Sequence, residues 1–264
     1  MLNGRELRDF IKARQAHQVR GLIQHFHAQP RLDIIQTRAD AVTNLYTRLK
    51  KSYGEDIKIE VQIHNIDQSD ATELIQQLND DPAVIGILLQ LPLADPSQTD
   101  ELVNLVSSTK DVDGLGQNAK WHPTTAMAIN WLLAGYGIEL TGKKIAIVGQ
   151  GRLVGKPLAK MWHDSDYDVT TLDDTCEDLE SALINKDIIV TATGVPGLIK
   201  SNMLKHKAIV VDAGTADVDG QVLGDLDPVV YDRQDLTLAP RRGGVGPLTI
   251  AALMDNVIRA SYKA

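Results

Sequence analysis

One stretch narrows the possible folds more than any other: Lys143–Pro157, KKIAIVGQGRLVGKP. Its apolar run Ile145-Ala146-Ile147-Val148 has the length of a buried strand. Gly149, Gln150 and Gly151 follow, then Arg152 and Val154, and the pattern predicts a helix from Leu153. A strand, a glycine turn and a helix N-terminus together make an anion site. Backbone N–H groups can approach a pyrophosphate there, and the helix dipole favours its charge. A tight strand-to-helix turn of no function would share the Gly-x-Gly pattern, so the next unit decides. Asp168–Leu172 reads as a second strand and ends in Asp173-Asp174. Asp173 lies 24 residues beyond Gly149, close to where a dinucleotide fold places the carboxylate that binds the adenosine ribose. The context predicts a dinucleotide-binding β/α domain.

The remainder of the 264 residues has to supply a partner for that domain, because the length suits one large or two ordinary domains. With 43% hydrophobic residues the chain can fill a real core. A net charge of −8 argues against a nucleic-acid partner, which would require a basic face. Cys176 is the single cysteine, too few for an internal disulfide or a thiolate metal site. No apolar run approaches membrane-spanning length, and the first residues lack a signal-peptide pattern. The expectation is a cytoplasmic protein with no membrane partner and no metal.

Residues 1 to about 120 alternate helix and strand. Helices are predicted over 4–28, 40–52, 70–78 and 100–106, and strands over 32–35, 57–63 and 84–92. The run Val84–Pro92 is continuously apolar, as in a strand covered on both faces, except for Gln90 at its C-terminal end. Open α/β sheets hold their ligands outside those ends. Tyr46 and Lys50 are four apart, hence on one helical face. His25 and His27 are two apart, which disfavours joint metal ligation. A helix over 123–136 leads into the second β/α series: strands 145–148, 168–172, 187–192 and 208–212, with helices 153–163 and 177–184. Loops containing Thr193 and Thr215 follow two of those strand ends, where a cofactor should lie. Arg241–Pro247 reads as a second glycine-rich turn before a final helix from about Leu248 to Tyr262.

Four pieces stand in fixed order: Tyr46-x-x-x-Lys50, Gly86-Ile-Leu-Leu-Gln90-Leu-Pro-Leu, Lys110-Asp-Val-Asp113-Gly and Gly243-Gly-Val-Gly-Pro247-Leu-Thr249. With Gly149-x-Gly-x-x-Val-Gly155-x-Pro157 between them, the chain resembles the bifunctional methylenetetrahydrofolate dehydrogenase/methenyltetrahydrofolate cyclohydrolase family (FolD type) over nearly its whole length. The resemblance implies an α/β fold of two domains: an N-terminal open α/β catalytic domain over 1–122 and a Rossmann-like dinucleotide-binding domain over 123–247. A cleft would lie between them, the C-terminal helix, 248–264, would pack back on the first, and the protein would be a homodimer. It also implies one-carbon folate metabolism linked to purine biosynthesis, with a folate substrate that can carry a polyglutamate tail. By resemblance Lys50 is the proton-transfer group, Gln90 orients it, and Tyr46 packs on the folate and helps to hold Lys50. Asp113 would accept hydrogen bonds from the pterin. Leu89, Leu91 and the backbone of Gly243, Gly244, Val245, Gly246 and Pro247 would complete the substrate site. An ammonium beside a cationic substrate in a partly desolvated cleft should have a lowered pKa, which suits a general base. Short-chain dehydrogenases also combine Tyr-x-x-x-Lys with a dinucleotide fold, but there the glycine loop comes first, and here Tyr46 precedes Gly149.

Some positions depart from the family pattern. Arg38 stands in place of a glycine, His122-Pro123-Thr124-Thr125 replaces Pro-Cys-Thr-Pro and keeps only Thr124, and Arg241-Arg242 precedes Gly243-Gly244. Arg38, Arg241 or Arg242 could hold the glutamate tail of folate, and solvent-facing arginines are the competing reading. In the cofactor domain, Gln150 and Asp173-Asp174-Thr175 occupy places where NADP-using members carry Arg or Ser and a His-Ser-Arg-like run. A carboxylate there accepts from both ribose hydroxyls and repels a 2′-phosphate, so NAD is expected over NADP, with Arg152 as the residue that could reverse the preference. Two alternatives to a bifunctional enzyme remain: a dehydrogenase with a weak hydrolytic step, and a non-catalytic dinucleotide- or folate-binding protein.

Overall fold

The computed structural model describes residues 1–27, 29–218 and 221–263. It divides into two compact units, one of Asp9–Thr124 with Ile250–Ala264, the other of Met1–Arg8 with Thr125–Thr249.

The first unit begins with α1 (Gly4–Phe26), most of which belongs to it. Then β1 (Arg31–Gln36), α2 (Ala41–Asp56), β2 (Glu60–Asn65), α3 (Ala71–Asp80), β3 (Gly86–Leu89) and α4 (Thr99–Leu105) alternate as the apolar periodicity predicts. The three strands are parallel in the order β2-β1-β3, with Leu32 opposite both Val61 and Gly86. All four residues of β3 are buried, which accounts for its unbroken apolar run. Ile35, Ala71, Ile75, Ile87, Leu89 and Leu102 share one core cluster. Asp40 caps α2 by accepting from the Thr43 N–H at 2.8 Å. The helix continues to Asp56, beyond the expected end at 52, because Tyr53 and Gly54 are buried within it. Tyr53 donates to Gln15 Oε1 at 2.8 Å, and Gln15 Nε2 donates to the Ala251 carbonyl at 2.8 Å, so α1, α2 and the C-terminal residues are fastened together.

In the second unit α5 (Thr124–Gly135) leads into β4 (Ile145–Val148), α6 (Gly155–His163), β5 (Val169–Leu172), α7 (Leu179–Leu183), β6 (Ile188–Thr191) and β7 (Ile209–Asp212). The hairpin β8 (Ala216–Val218) and β9 (Gln221–Leu223) follows, then β10 (Thr237–Leu238). The five-stranded sheet is parallel in the order β10-β7-β6-β4-β5. Its order reverses at β4, from which the chain first moves to β5 and then back across to β6. That reversal is the switch point at which doubly wound sheets take their ligands. Val148, Ile189, Val210 and Leu238 lie in its core cluster.

Three helix starts differ from expectation by two residues or more, α7 beginning at Leu179 rather than 177 behind its Asp178 cap. α6 begins at Gly155 rather than Leu153, because Val154 at φ −133°, ψ −67° is not helical. The final helix, α8 (Val245–Ser261), begins three residues before Leu248, so Val245, Gly246 and Pro247 form its first turn rather than a loop. Proline is tolerated there because first-turn N–H groups have no intrahelical acceptor. The hairpin and β10 were not expected from the sequence, being strands of two or three residues without a readable period. Among the described residues no helix is long and apolar enough to cross a membrane, and no group of three or more His, Cys, Asp or Glu could hold a metal ion.

Candidate active site

In the first unit three elements bring the chemistry-bearing side chains together. Lys50 sits on α2 one turn after Tyr46. Gln90 follows β3 and continues its ladder by donating its N–H to the Ile35 carbonyl at 2.8 Å. Lys50 Nζ donates to Gln90 Oε1 at 2.6 Å, while Gln90 Nε2 donates to the Leu91 carbonyl at 2.8 Å. The second bond fixes which end of the amide faces the lysine, so Gln90 presents an acceptor and not a donor. Burial lowers the pKa of the Lys50 ammonium, and the Asp113 carboxylate works against that shift. Burial raises the pKa of the Tyr46 hydroxyl, which remains neutral at ordinary pH. Leu89 is buried and Leu91 partly exposed on either side of Gln90.

The segment Lys110–Gly114 divides its work. Lys110 Nζ donates to the carbonyls of Leu78, Asn79 and Asp81 at 2.7–3.0 Å, which anchors the segment to the end of α3. Asp111 accepts from the N–H groups of Gly114 at 2.9 Å and Gly116 at 2.7 Å, shaping the turn. Burial raises the Asp111 pKa, those N–H groups oppose it, and the charge of Asp113 adds to the rise. Ile87 donates its N–H to the Lys110 carbonyl at 2.7 Å, closing the segment on β3. Gly86 permits that approach, since a Cβ there would sit 2.8 Å from both Val112 methyls. Asp113 is thereby left for other partners. One is Thr124, whose hydroxyl donates to Asp113 Oδ1 at 2.5 Å. The sequence keeps Thr124 as the one family residue of its segment but does not by itself assign it a part in the site. Its survival was the available signal.

In the second unit the β4–α6 turn has the geometry of a phosphate loop. Gly149 takes φ +92°, and a Cβ on it would lie 2.5 Å from the Ala192 carbonyl oxygen. Gly155 packs directly on the Gly149 carbonyl and has no room for a side chain. No side chain caps α6. Gln150 Nε2 donates to the Gly149 carbonyl at 3.1 Å, while Gly151 is exposed and Arg152 and Val154 are half-buried. At the end of β5, Asp173 is exposed and accepts from the Thr175 hydroxyl at 2.6 Å and the Thr175 N–H at 3.1 Å. Those bonds, the hydroxyl first, lower its pKa and hold it ionised. Thr193 follows β6 and Thr215 follows β7. These residues fit a dinucleotide: a glycine turn without side chains, an uncapped helix N-terminus and a carboxylate one strand away.

The site residues fall in different units. Tyr46, Lys50, Leu89, Gln90, Leu91 and Asp113 belong to the first, whereas Gly243, Gly244, Val245, Gly246 and Pro247 belong to the second. Arg38 pairs through Nε with Asp40 at 2.9 Å, Arg241 lies over the Tyr231 ring at 5.7 Å, and Arg242 is exposed.

Comparison with known proteins gives the family of the whole chain. The chain is 34% identical over 278 residues to the bifunctional protein FolD of Sulfurihydrogenibium sp. (strain YO3AOP1), covering 100% of this chain and 97% of the relative. The crystal structure of the bifunctional FolD methylenetetrahydrofolate dehydrogenase/cyclohydrolase from Campylobacter jejuni superposes with a TM-score of 0.92 at 29% identity, over 99% and 98% of the two chains. The Trypanosoma brucei FolD enzyme, solved with NADP cofactor and an inhibitor, superposes at 0.91 with 26% identity, over 99% and 96%. Residues 2–113 match the catalytic domain of the tetrahydrofolate dehydrogenase/cyclohydrolase family and residues 123–264 match its NAD(P)-binding domain. The chain belongs to the tetrahydrofolate dehydrogenase/cyclohydrolase family.

Proposed function

We propose that this chain performs both family reactions and that Lys50 is the proton-transfer group of the second. The observation that carries the assignment is the 2.6 Å bond from the desolvated Lys50 ammonium to Gln90 Oε1. In the first reaction the methylene bridge of methylenetetrahydrofolate loses a hydride, which a bound nicotinamide accepts, and the folate becomes the methenyl cation. This chain's contribution there is orientation and charge: Asp113 offers acceptors to the N–H edge of the pterin, and Tyr46 offers an apolar ring to the folate plane. In the second reaction the oxygen of water bonds to the methenyl carbon and its proton passes to the neutral Lys50 amine. The C–N5 bond then breaks as N5 takes that proton back from Lys50, the remaining hydroxyl proton leaves to solvent as the formyl C=O forms, and 10-formyltetrahydrofolate and one H+ result. A lysine with a lowered pKa has a larger neutral fraction near neutral pH, as a base requires. The substrate role of Gly243–Pro247, a homodimer in the cytoplasm and a place in purine biosynthesis rest on the family resemblance alone.

NAD is the preferred cofactor in this reading. Asp173 is ionised and held by Thr175, which supports ribose hydroxyl binding and repulsion of a 2′-phosphate. One assay tests the whole proposal: methylenetetrahydrofolate with NAD or NADP, following reduced nicotinamide and methenyl absorbance together. Faster reduction of NAD with little methenyl build-up is the expected result. Persistent methenyl refutes the role of Lys50 in a working cyclohydrolase. Preference for NADP refutes the role of Asp173, and Asp173→Ala should move the NAD-to-NADP ratio towards NADP by about tenfold or more.

A further inference from the structure

A cluster outside the expected site links the loops that follow β6 and β7. Its centre is Asp225, fully buried just after β9. Asp225 Oδ2 accepts from the Thr191 hydroxyl at 2.6 Å and from the Thr193 N–H at 2.7 Å. Its carbonyl accepts from the Ile199 N–H at 3.0 Å. One residue therefore holds both ends of the 193–199 loop. Its own N–H donates to Asp212 Oδ1 at 3.1 Å, and Asp212 ends β7. Asp212 in turn accepts from the N–H groups of Gly214 at 3.0 Å and Leu226 at 3.1 Å and from the Tyr231 hydroxyl at 3.1 Å.

Two glycines make the arrangement reciprocal. A side chain on Gly214 would overlap the Asp225 carboxylate, and one on Gly224 would overlap the Asp212 carboxylate. Each carboxylate lies against the backbone of the other's segment. Among the described residues Asp225 Oδ1 has no hydrogen-bond partner, although the residue is fully buried. A buried carboxylate oxygen left unsatisfied destabilises the fold, so such a group usually serves a purpose other than stability. The sheet order indicates what that purpose is. Asp173 marks the adenosine side at the end of β5, and β6 and β7 lie on the opposite side of β4. A dinucleotide laid across the switch point places its other half over the loops after β6 and β7.

We propose that Asp225 is a positioning residue for the dehydrogenase, setting the Thr193 and Gly214-Thr215 loops to receive the nicotinamide half of the dinucleotide. It acts through those loops, and the proposal rests on the dinucleotide-binding reading of this unit.

The test compares the affinity of the full chain for NAD with its affinity for ADP-ribose, which lacks the nicotinamide ring. In Asp225→Ala, NAD should bind about tenfold more weakly or worse while ADP-ribose stays within about twofold of the parent. Asp225→Asn keeps one oxygen for the Thr191 and Thr193 donors and should recover most of the NAD affinity. If Asp225→Ala does not fold, Thr191→Val removes one donor at constant shape and should produce a smaller loss selective for NAD. The dehydrogenase KM for NAD should rise in step with the loss of affinity. Equal weakening of NAD and ADP-ribose, or unchanged NAD affinity in the folded variants, overturns the proposal. A parent protein that binds neither compound overturns the dinucleotide reading beneath it.

Discussion

Replacing Gln90 with methionine removes the acceptor of the 2.6 Å bond while nearly preserving side-chain volume. The bond is to a charged donor, and such bonds contribute about 1.5–3 kcal/mol net. That contribution favours the ammonium over the amine, so it holds the Lys50 pKa up against burial, as Asp113 also does. Loss of the acceptor therefore moves the pKa in the same direction as burial, downward. The neutral amine can still donate to that oxygen, more weakly, so only the difference between the two bonds moves the pKa; each ~1.36 kcal/mol of that difference changes the neutral-to-charged ratio about tenfold. In the proposed mechanism Lys50 acts as a base in its neutral form, so cyclohydrolase turnover should rise with pH on its acid limb. The assay is loss of methenyl absorbance over a pH series, parent against Gln90→Met. The acid limb should move to lower pH, and the plateau should fall because the lysine is no longer aimed. A limb that stays in place, or moves to higher pH, would refute the view that Gln90 stabilises the charged lysine.

Lys50→Met should lower cyclohydrolase turnover by about 10²–10⁴-fold and affect hydride transfer less, which accumulation of the methenyl folate would reveal. The same substitution bears on stability. Because burial lowers the Lys50 pKa, the unfolded chain binds more protons than the folded one between the two pKa values. Stability of the parent should rise with pH across that window, and urea melts of Lys50→Met should show a flatter profile. Thr124→Val removes the 2.5 Å bond to Asp113 and should raise the KM for folate by about five- to tenfold, with a smaller change in kcat. Gly155→Ala forces a methyl against the Gly149 carbonyl and should abolish detectable NAD binding, measurable by calorimetry.

What could be read in the sequence was what neighbours in the chain decide. The run Ile145–Val148 with Gly149 and Gly155, and the buried stretch ending at Gln90, depend on residues within a few positions of each other, so pattern and propensity suffice. Thr124 and Asp113 are eleven positions apart, and Asp225 reaches Thr191 across 34. Nothing local in either segment announces those contacts, because the intervening chain sets them. The start of α8 precedes the predicted one for a different reason: Gly246-Pro247 resembles a loop, yet a first helical turn accepts both residues. The β8–β9 hairpin is too short for alternation to register, and it matters because it delivers Asp225 to the end of the sheet.

Near the C-terminus, Asn256 on α8 donates through Nδ2 to the carbonyls of Val112 at 2.8 Å and His122 at 3.1 Å. It thus closes both ends of the segment that bears Asp113, from more than 130 residues away in the chain. This geometry ties an early segment of the chain to a late one. The strands and helices that carry Lys50 and Gln90 precede α8 in the chain, so these two bonds to the Asp113 segment form only once α8 has been made. The sheet of the second unit, with β4 to β7 contiguous between Ile145 and Asp212, needs no such late arrival for those strands. A chain cut short before Asn256 would keep the strands of both parallel sheets in its sequence and lack both bonds that close the Asp113 segment.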